Sequence, residues 1–286
     1  MIGKTRQGNG GEMEEAYDAE VGRARGVLRR PVPDGNVRHA RRRPSPDVAP
    51  WIAHYWMVSW DLRGCEPYVA ETLPHPNVHW VFENGRSTVS GVHTSKFSRA
   101  LEGESQVFGV KFRPGGFRPF FGAPVSELAN RVVAPGRIFG KGVRELEKLV
   151  LSTCTEDEKV QAADAFFRTR APAPDETVDL AARLVKTVLL ESDIRTVDEL
   201  ARRAAMGKRS LQRVFKEYVG ASPKWVIRRY RLHELIERLN SGKEIDWVQV
   251  ALDLGYYDQA HLIKDFRSIT GYSPSQCEKA VPRSST

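Results

Sequence analysis

Four side chains define the chemistry this chain is equipped for. Arg209, Gln212, Arg213 and Lys216 fall at i, i+3, i+4 and i+7, one face of a helix, while Leu211, Phe215 and Tyr218 form another. No acidic residue occurs from Lys208 to Lys216. Such a face carries the donors that base-pair edges and phosphates accept: arginine meets guanine through two hydrogen bonds, glutamine meets adenine, and lysine meets phosphate. A solvated basic face on an ordinary surface helix is the other reading of these residues, and spacing alone leaves both open.

A second constellation is His75, His79 and Glu83, spaced H-x-x-x-H-x-x-x-E. On a helix the two histidines would share a face and could hold zinc. Pro74 and Pro76 flank His75, however, and Val78, Trp80 and Phe82 alternate as in a strand. Strand residues four apart are separated by about 13 Å, too far for one ion. The expected arrangement therefore puts His79, Val81 and Glu83 on one face and Trp80 and Phe82 on the other, with no metal. The aromatic residues Trp51, Tyr55, Trp56, Trp60, Tyr68, Trp80 and Phe97 form either a plain core or the wall of a pocket. If a pocket exists, His54, Glu71, His79 and Trp80 are the candidate effector contacts. No Ser-His-Asp arrangement, phosphate-binding loop or dinucleotide fingerprint is present, so no catalytic residue, no cofactor and no enzyme activity is expected.

The elements that must position the basic face are legible because they occur twice. Leu211, Phe215, Gly220, Ser222 and Pro223 recur 51 residues later as Leu262, Phe266, Gly271, Ser273 and Pro274, and Arg213 and Lys216 recur as Lys264 and Arg267. In the first copy Thr196 and Glu199 fit a capping box that opens a helix, Met206-Gly207 makes a turn, and Gly207 stands at the N-cap of the basic helix. In the second copy Asp246 caps a helix with Val248, Ala251 and Leu252 inward. Gly255-Tyr256-Tyr257 makes the turn, and Asp258 caps residues 259–270. Between the copies, residues 223–239 read as a helix of about 25 Å, a strut able to hold two reading helices roughly one DNA turn, about 34 Å, apart. Arg228, Arg229 and Arg231 on it either touch phosphates or form a solvated face. Residues 178–190 read as the opening helix, with Leu180, Leu184, Val188 and Leu189 inward.

Residues 175–280 resemble the C-terminal domain of the AraC/XylS family of transcriptional regulators. The stretches RSLQRVFKEYVGASPKWVIRRYRL and VALDLGYYDQAHLIKDFRSITGYSP carry the resemblance. It implies an all-α, seven-helix, double helix-turn-helix domain with its two reading helices in successive major grooves. On this chain the DNA-facing residues would be Lys208, Arg209, Gln212, Arg213 and Lys216, then Gln259, Ala260, Ile263, Lys264 and Arg267. The second helix thus offers apolar Ala260 and Ile263 where the first has Arg209 and Gln212, so the first is expected to carry most base specificity. The phrases ETLPHPNVHWVFE and VFGVKFRPGGFRPF resemble the β-rich N-terminal domains of AraC-like regulators, which implies a sensing or dimerising unit. Expected partners are double-stranded operator DNA, RNA polymerase, a small-molecule effector and a second copy of the chain. The alternative is an N-terminal domain that only dimerises or contacts protein, without an effector.

The fold class expected is α+β. Residues 1–46, rich in Gly, Arg and Pro, read as a disordered basic tail in which residues 12–26 form at most a transient helix and Arg41, Arg42 and Arg43 either assist DNA binding or stay solvated. Residues 47–169 read as a β-rich domain with trailing helices at 126–130, 142–151 and 156–168. Residues 170–176, RAPAPDE, form a Pro-rich linker, 177–280 the DNA-binding domain, and 281–286 a tail. The whole chain carries net charge +8, yet residues 175–280 hold 18 basic and 16 acidic residues. DNA binding must rest on where charges sit, and a nonspecific nucleoid coat is disfavoured. No apolar run reaches membrane-span length and no signal-peptide core opens the chain, so a cytoplasmic, nucleoid-associated protein is expected. Cys65, Cys154 and Cys277 read as reduced, mostly buried thiols.

Overall fold

The computed structural model describes Leu28 and residues 36–152, 155–240 and 245–276. The fold is α+β, a β-rich N-terminal region followed by helices. Among the described residues the strands are β1 (Val37–Arg42), β2 (Ile52–Leu62), β3 (Tyr68–Thr72), β4 (His79–Glu83), β5 (Arg86–Ser90), β6 (Phe97–Leu101), β7 (Gly103–Phe112) and β8 (Val132–Val133). Six of them form an antiparallel sheet in the order β1-β2-β7-β4-β5-β8, and β3 pairs with β6. Asn84 and Gly85, both at positive φ, make the tight turn between β4 and β5 that the Asn-Gly pair announces.

The two faces of the large sheet differ in chemistry. On one face Tyr55, Trp80, Phe82, Phe108, Val110 and Phe112 are buried. Helices α1 (Arg118–Phe121), α2 (Gly136–Phe139), α3 (Val143–Ser152) and α4 (Glu156–Arg168) cover that side. Trp80 stacks on Phe139 at 4.5 Å between ring centroids and meets Phe166 and Phe167 edge-on at 5.2 and 5.9 Å. Its indole N–H donates to Ser87 Oγ at 2.8 Å, and the Tyr55 hydroxyl donates to Asp164 at 2.6 Å, so the polar atoms of these two rings are satisfied. On the other face Trp56, Trp60, Val107 and Val81 pack with Tyr68, Ala70 and Leu101 of the small sheet. A Cβ on Gly109 would lie 2.0 Å from the Trp56 ring, so glycine is required where that indole crosses β7.

Part of the stretch expected to be disordered, residues 37–42, is a strand. Val37–Arg42 pairs in full register with β2, from Val37 opposite Trp60 to Arg42 opposite Tyr55. Arg42 and Arg38 both reach Glu156 of α4, at 2.6 and 2.8 Å, which employs in folding an arginine expected to be solvated or to touch DNA. The helix expected at 12–26 lies outside the described residues, as do Cys154 and Cys277. Cys65 is exposed, not buried, because it sits in the turn between β2 and β3.

The C-terminal region is all-α. Its helices are α5 (Glu176–Leu190), α6 (Val197–Arg203), α7 (Lys208–Val214), α8 (Pro223–Asn240), α9 (Trp247–Asp253) and α10 (Gln259–Thr270). A further helical turn begins at Pro274 and continues to Gln276, the last described residue. One apolar core forms from α5, α6, α7 and the start of α8, another from the rest of α8 with α9 and α10. On α5, Leu184 and Val188 point inward as expected, while Leu180 and Leu189 are only half-buried and Ala181 and Val185 complete the stripe. Among the described residues no helix is long and apolar enough to cross a membrane.

Candidate DNA-reading surface

The first reader is built from local signals. Thr196 accepts from the Glu199 backbone N–H at 3.1 Å, and Glu199 accepts in return from the Thr196 N–H at 2.7 Å, a complete capping box on α6. Gly207, extended at φ −68° and ψ 142°, turns the chain into α7. Leu211, Val214 and Phe215 are buried, which forces the opposite face outward. Arg209, Gln212, Arg213 and Lys216 are all exposed, and none has a side-chain hydrogen bond or ion pair among the described residues. Lys208 differs, since it pairs with Asp198 at 2.8 Å across the turn, a pair open enough to water to be exchanged for a phosphate. The helix ends in a wider π turn, Phe215–Val219, closed by Gly220 at φ +87°.

The second reader repeats the plan with better caps. Asp246 accepts from the N–H groups of Val248 and Gln249 at 3.0 and 3.1 Å, and Asp258 accepts from that of His261 at 2.7 Å. Leu262, Phe266 and Ile269 are buried; Ala260, Lys264 and Arg267 are exposed, and Gln259 and Ile263 are partly so. Lys264 and Arg267 likewise take no side-chain partner among the described residues. On α9 the expected inward set is corrected. Ala251 is buried, but Val248 and Leu252 are 61% and 50% exposed, and Val250 and Leu254 fill the core instead. The capped start and the Gly255 turn fix the rotation of this short helix, and they bring Leu254 and Tyr256 inward.

The strut arginines are committed within the protein. Arg228 clasps Asp265 of α10 through two bonds of 2.8 and 2.6 Å. Arg229 is 1% exposed and donates to the Pro74 carbonyl at 2.9 Å, and Arg231 donates to the Arg195 carbonyl. Phosphate contact by these three is therefore disfavoured, and the Arg228–Asp265 fork instead ties the second reader to its strut.

The four effector candidates do not converge. His54 and His79 both stand opposite Lys111 in the sheet register, so the three form a row across β2, β7 and β4 on the face beneath the small sheet. The Trp56 indole donates to His79 Nδ1 at 3.2 Å, which fixes that ring as the neutral tautomer protonated at Nε2. Desolvation, reinforced by the Lys111 charge, holds His79 down to about 3 and His54 to about 2. Trp80 belongs to the helix-covered core on the opposite face. Glu71, only 3% exposed, turns toward the helical region, where it accepts from Lys96 at 2.6 Å and from the Tyr272 hydroxyl at 2.8 Å. His75 and His79 are separated by the bend at Pro76-Asn77, and among the described residues no three His, Cys, Asp or Glu side chains could hold a metal. Sequence reasoning missed Lys96, Tyr272, Trp225 and the partners of Arg229. These contacts join residues far apart in the chain, and no periodicity announces them.

Two helix-turn-helix units joined by a strut define the class, a double helix-turn-helix DNA-binding domain. Residues 200–280 match a family described as a helix-turn-helix domain, and residues 40–134 match one described as a domain of unknown function (DUF6597). The XylDLEGF operon transcriptional activator of Pseudomonas putida is 33% identical over 92 residues, 30% of this chain and 29% of that one. The HTH-type transcriptional regulator ArgR of Pseudomonas aeruginosa is 28% identical over 114 residues, 38% and 34% of the two chains. The chain thus spans about a third of the length of these curated relatives. Among solved structures, ToxT of Vibrio cholerae aligns over 86% of this chain and 97% of that one, with 11% identity and a TM-score of 0.37. Residues 200–280 thus form a helix-turn-helix domain similar to those of AraC/XylS-type regulators. The matched family and relatives are transcriptional regulators, not enzymes.

Proposed function

We propose that the chain is a one-component, sequence-specific transcriptional regulator whose first reading helix supplies most of the base discrimination and whose second mostly positions. The observation that carries this reading is the outward face of α7: Arg209, Gln212, Arg213 and Lys216 are exposed and unengaged among the described residues. Lys208, Gln259, Ala260, Ile263, Lys264 and Arg267 complete the DNA-facing set. Residues 37–169 form the effector unit, 170–176 the linker and 177–280 the reader. His54, Lys111 and His79 form a polar row that shares its sheet face with half-buried Trp56, Val58 and Val81, and this mixture of polar and apolar groups is where a small-molecule effector would be sought. An effector there would shift the population of the state that presents both readers to operator DNA. RNA polymerase and a second copy are the further partners proposed, in the cytoplasm.

Arg213→Ala and Lys264→Ala test the division of labour. On a series of single-base variants of a bound site, Arg213→Ala is expected to abolish about 1–3 kcal/mol of preference at one position. Lys264→Ala is expected to weaken all sites alike and to lower the salt slope by about one. Equal loss of base preference in the two variants would contradict the assignment.

A further inference from the structure

The N-terminal domain touches both readers at equivalent points. Gly220 and Gly271, the two copies of one repeat position, each close a reading helix in the left-handed conformation, at φ +87° and +76°. A Cβ on Gly220 would lie 2.8 Å from Val125 Cγ1, and one on Gly271 3.5 Å from Lys96 Cε. Val125 opens a 3₁₀ turn, Val125–Leu128, after α1, and Lys96 precedes β6, so both partners belong to the N-terminal domain. Each half of the reader also takes N-terminal side chains into its core, Val92 into the first, Leu28 and Leu73 into the second.

The grip on the second reader is the more elaborate. The Lys96 backbone N–H donates to the Ile269 carbonyl at 2.8 Å, in the last turn of α10. The Lys96 ammonium lies 3.7 Å from the Tyr272 ring centre and donates to Glu71, whose carboxylate also accepts from the Tyr272 hydroxyl. Desolvation draws the Lys96 ammonium down, but its bonds to Glu71 and Tyr272 outweigh that and raise it above its ordinary value, so it stays charged. On the strut Arg229 reaches Pro74, and Trp225 donates from its indole to the Thr94 carbonyl at 3.2 Å.

We infer that Glu71, with Lys96 and Tyr272, is a positioning element that fixes the second reader relative to the first and so sets the half-site spacing the protein accepts. The inference rests on the proposed DNA-reading role. Two helix-turn-helix units joined by one helix can twist about it, whereas one N-terminal domain bound to both caps, through Val125 and Lys96, opposes that twist. One inserted base pair rotates the far half-site by roughly 35° about the DNA axis, so the twist allowed decides which spacings bind.

The test is selection of bound sequences from a random double-stranded DNA library by the full chain, by Glu71→Gln and by Tyr272→Phe. The second variant keeps the ring and loses only the hydroxyl bond, and it guards against misfolding of the first. Wild type is expected to select two half-motifs at one dominant spacing. Both variants are expected to select the same half-motifs over a wider range of spacings, with the penalty for one inserted base pair falling from about tenfold to about threefold or less. Unchanged half-motifs with an unchanged spacing distribution in both variants would overturn the positioning role alone. A wild type that selects no motif would overturn the DNA-reading proposal and this inference with it.

Discussion

A histidine buried beside a lysine stays neutral, because both desolvation and the neighbouring charge oppose its protonation. His54 and His79 flank Lys111 in this way and are held near 2 and 3. Above about pH 6.5, the ordinary histidine value, each is neutral folded or unfolded, and neither costs stability. As pH falls below that value the unfolded chain takes up protons that the fold refuses, so stability drops by up to roughly 1.4 kcal/mol per pH unit for each histidine, until pH reaches the folded value. Denaturant melts of the full chain between about pH 7.5 and 5 should show this decline, and His54→Gln should make it shallower by one histidine's share, leaving that of His79. A slope unaffected by that substitution would refute the assignment. At this scale the sequence separates roles unevenly. Arg209, Arg213 and Arg228 are chemically alike, but only the first two face solvent unengaged, since Arg228 is taken by Asp265, 37 residues away. Residue type announces what a side chain can bind, and tertiary packing decides whether it is free to do so.

Elements whose signals are local were legible, and those made by distant contacts were not. The caps at Thr196, Gly207, Asp246 and Asp258 open α6, α7, α9 and α10 as expected, because a cap requires only its own side chain or backbone and the N–H groups two or three residues on. Helix α4 also falls at the expected residues, 156–168. By contrast β1 lies in a stretch whose arginines and prolines read as disorder, and it forms because β2 offers a long edge on which to pair. The exposure of Val248 and Leu252 on α9 escaped the periodic pattern for a related reason. A helix this short admits more than one buried stripe, and the flanking turn selects between them. Of these devices the capping box is the most directly testable. Thr196→Ala removes the acceptor for the Glu199 N–H and should cost about 1 kcal/mol in a urea melt, with α6 loosened against α7. A variant as stable as wild type would show that packing alone holds the helix.

Across the whole molecule, charge alone does not explain the proposed function. Residues 175–280 are nearly balanced in charge, so whatever attraction they have for DNA comes from the unpaired stripe on α7 and its weaker counterpart on α10. The N-terminal sheet was legible as β-rich, with Trp80 and Phe82 on one face and His79 and Val81 on the other. The contact of the N-terminal domain with both reader caps was not, because its partners lie far apart in the chain, Glu71 and Tyr272 by 201 residues. Together these features support the proposed regulator, in which the N-terminal domain holds two unequal readers. The most direct test is occupancy of sheared genomic DNA from the source organism by the purified full chain at physiological salt. The account predicts a small number of sharp peaks that share two half-motifs about one helical turn apart, the half-motif read by α7 being the better defined. Diffuse occupancy without a motif, fading steeply as salt rises, would contradict it.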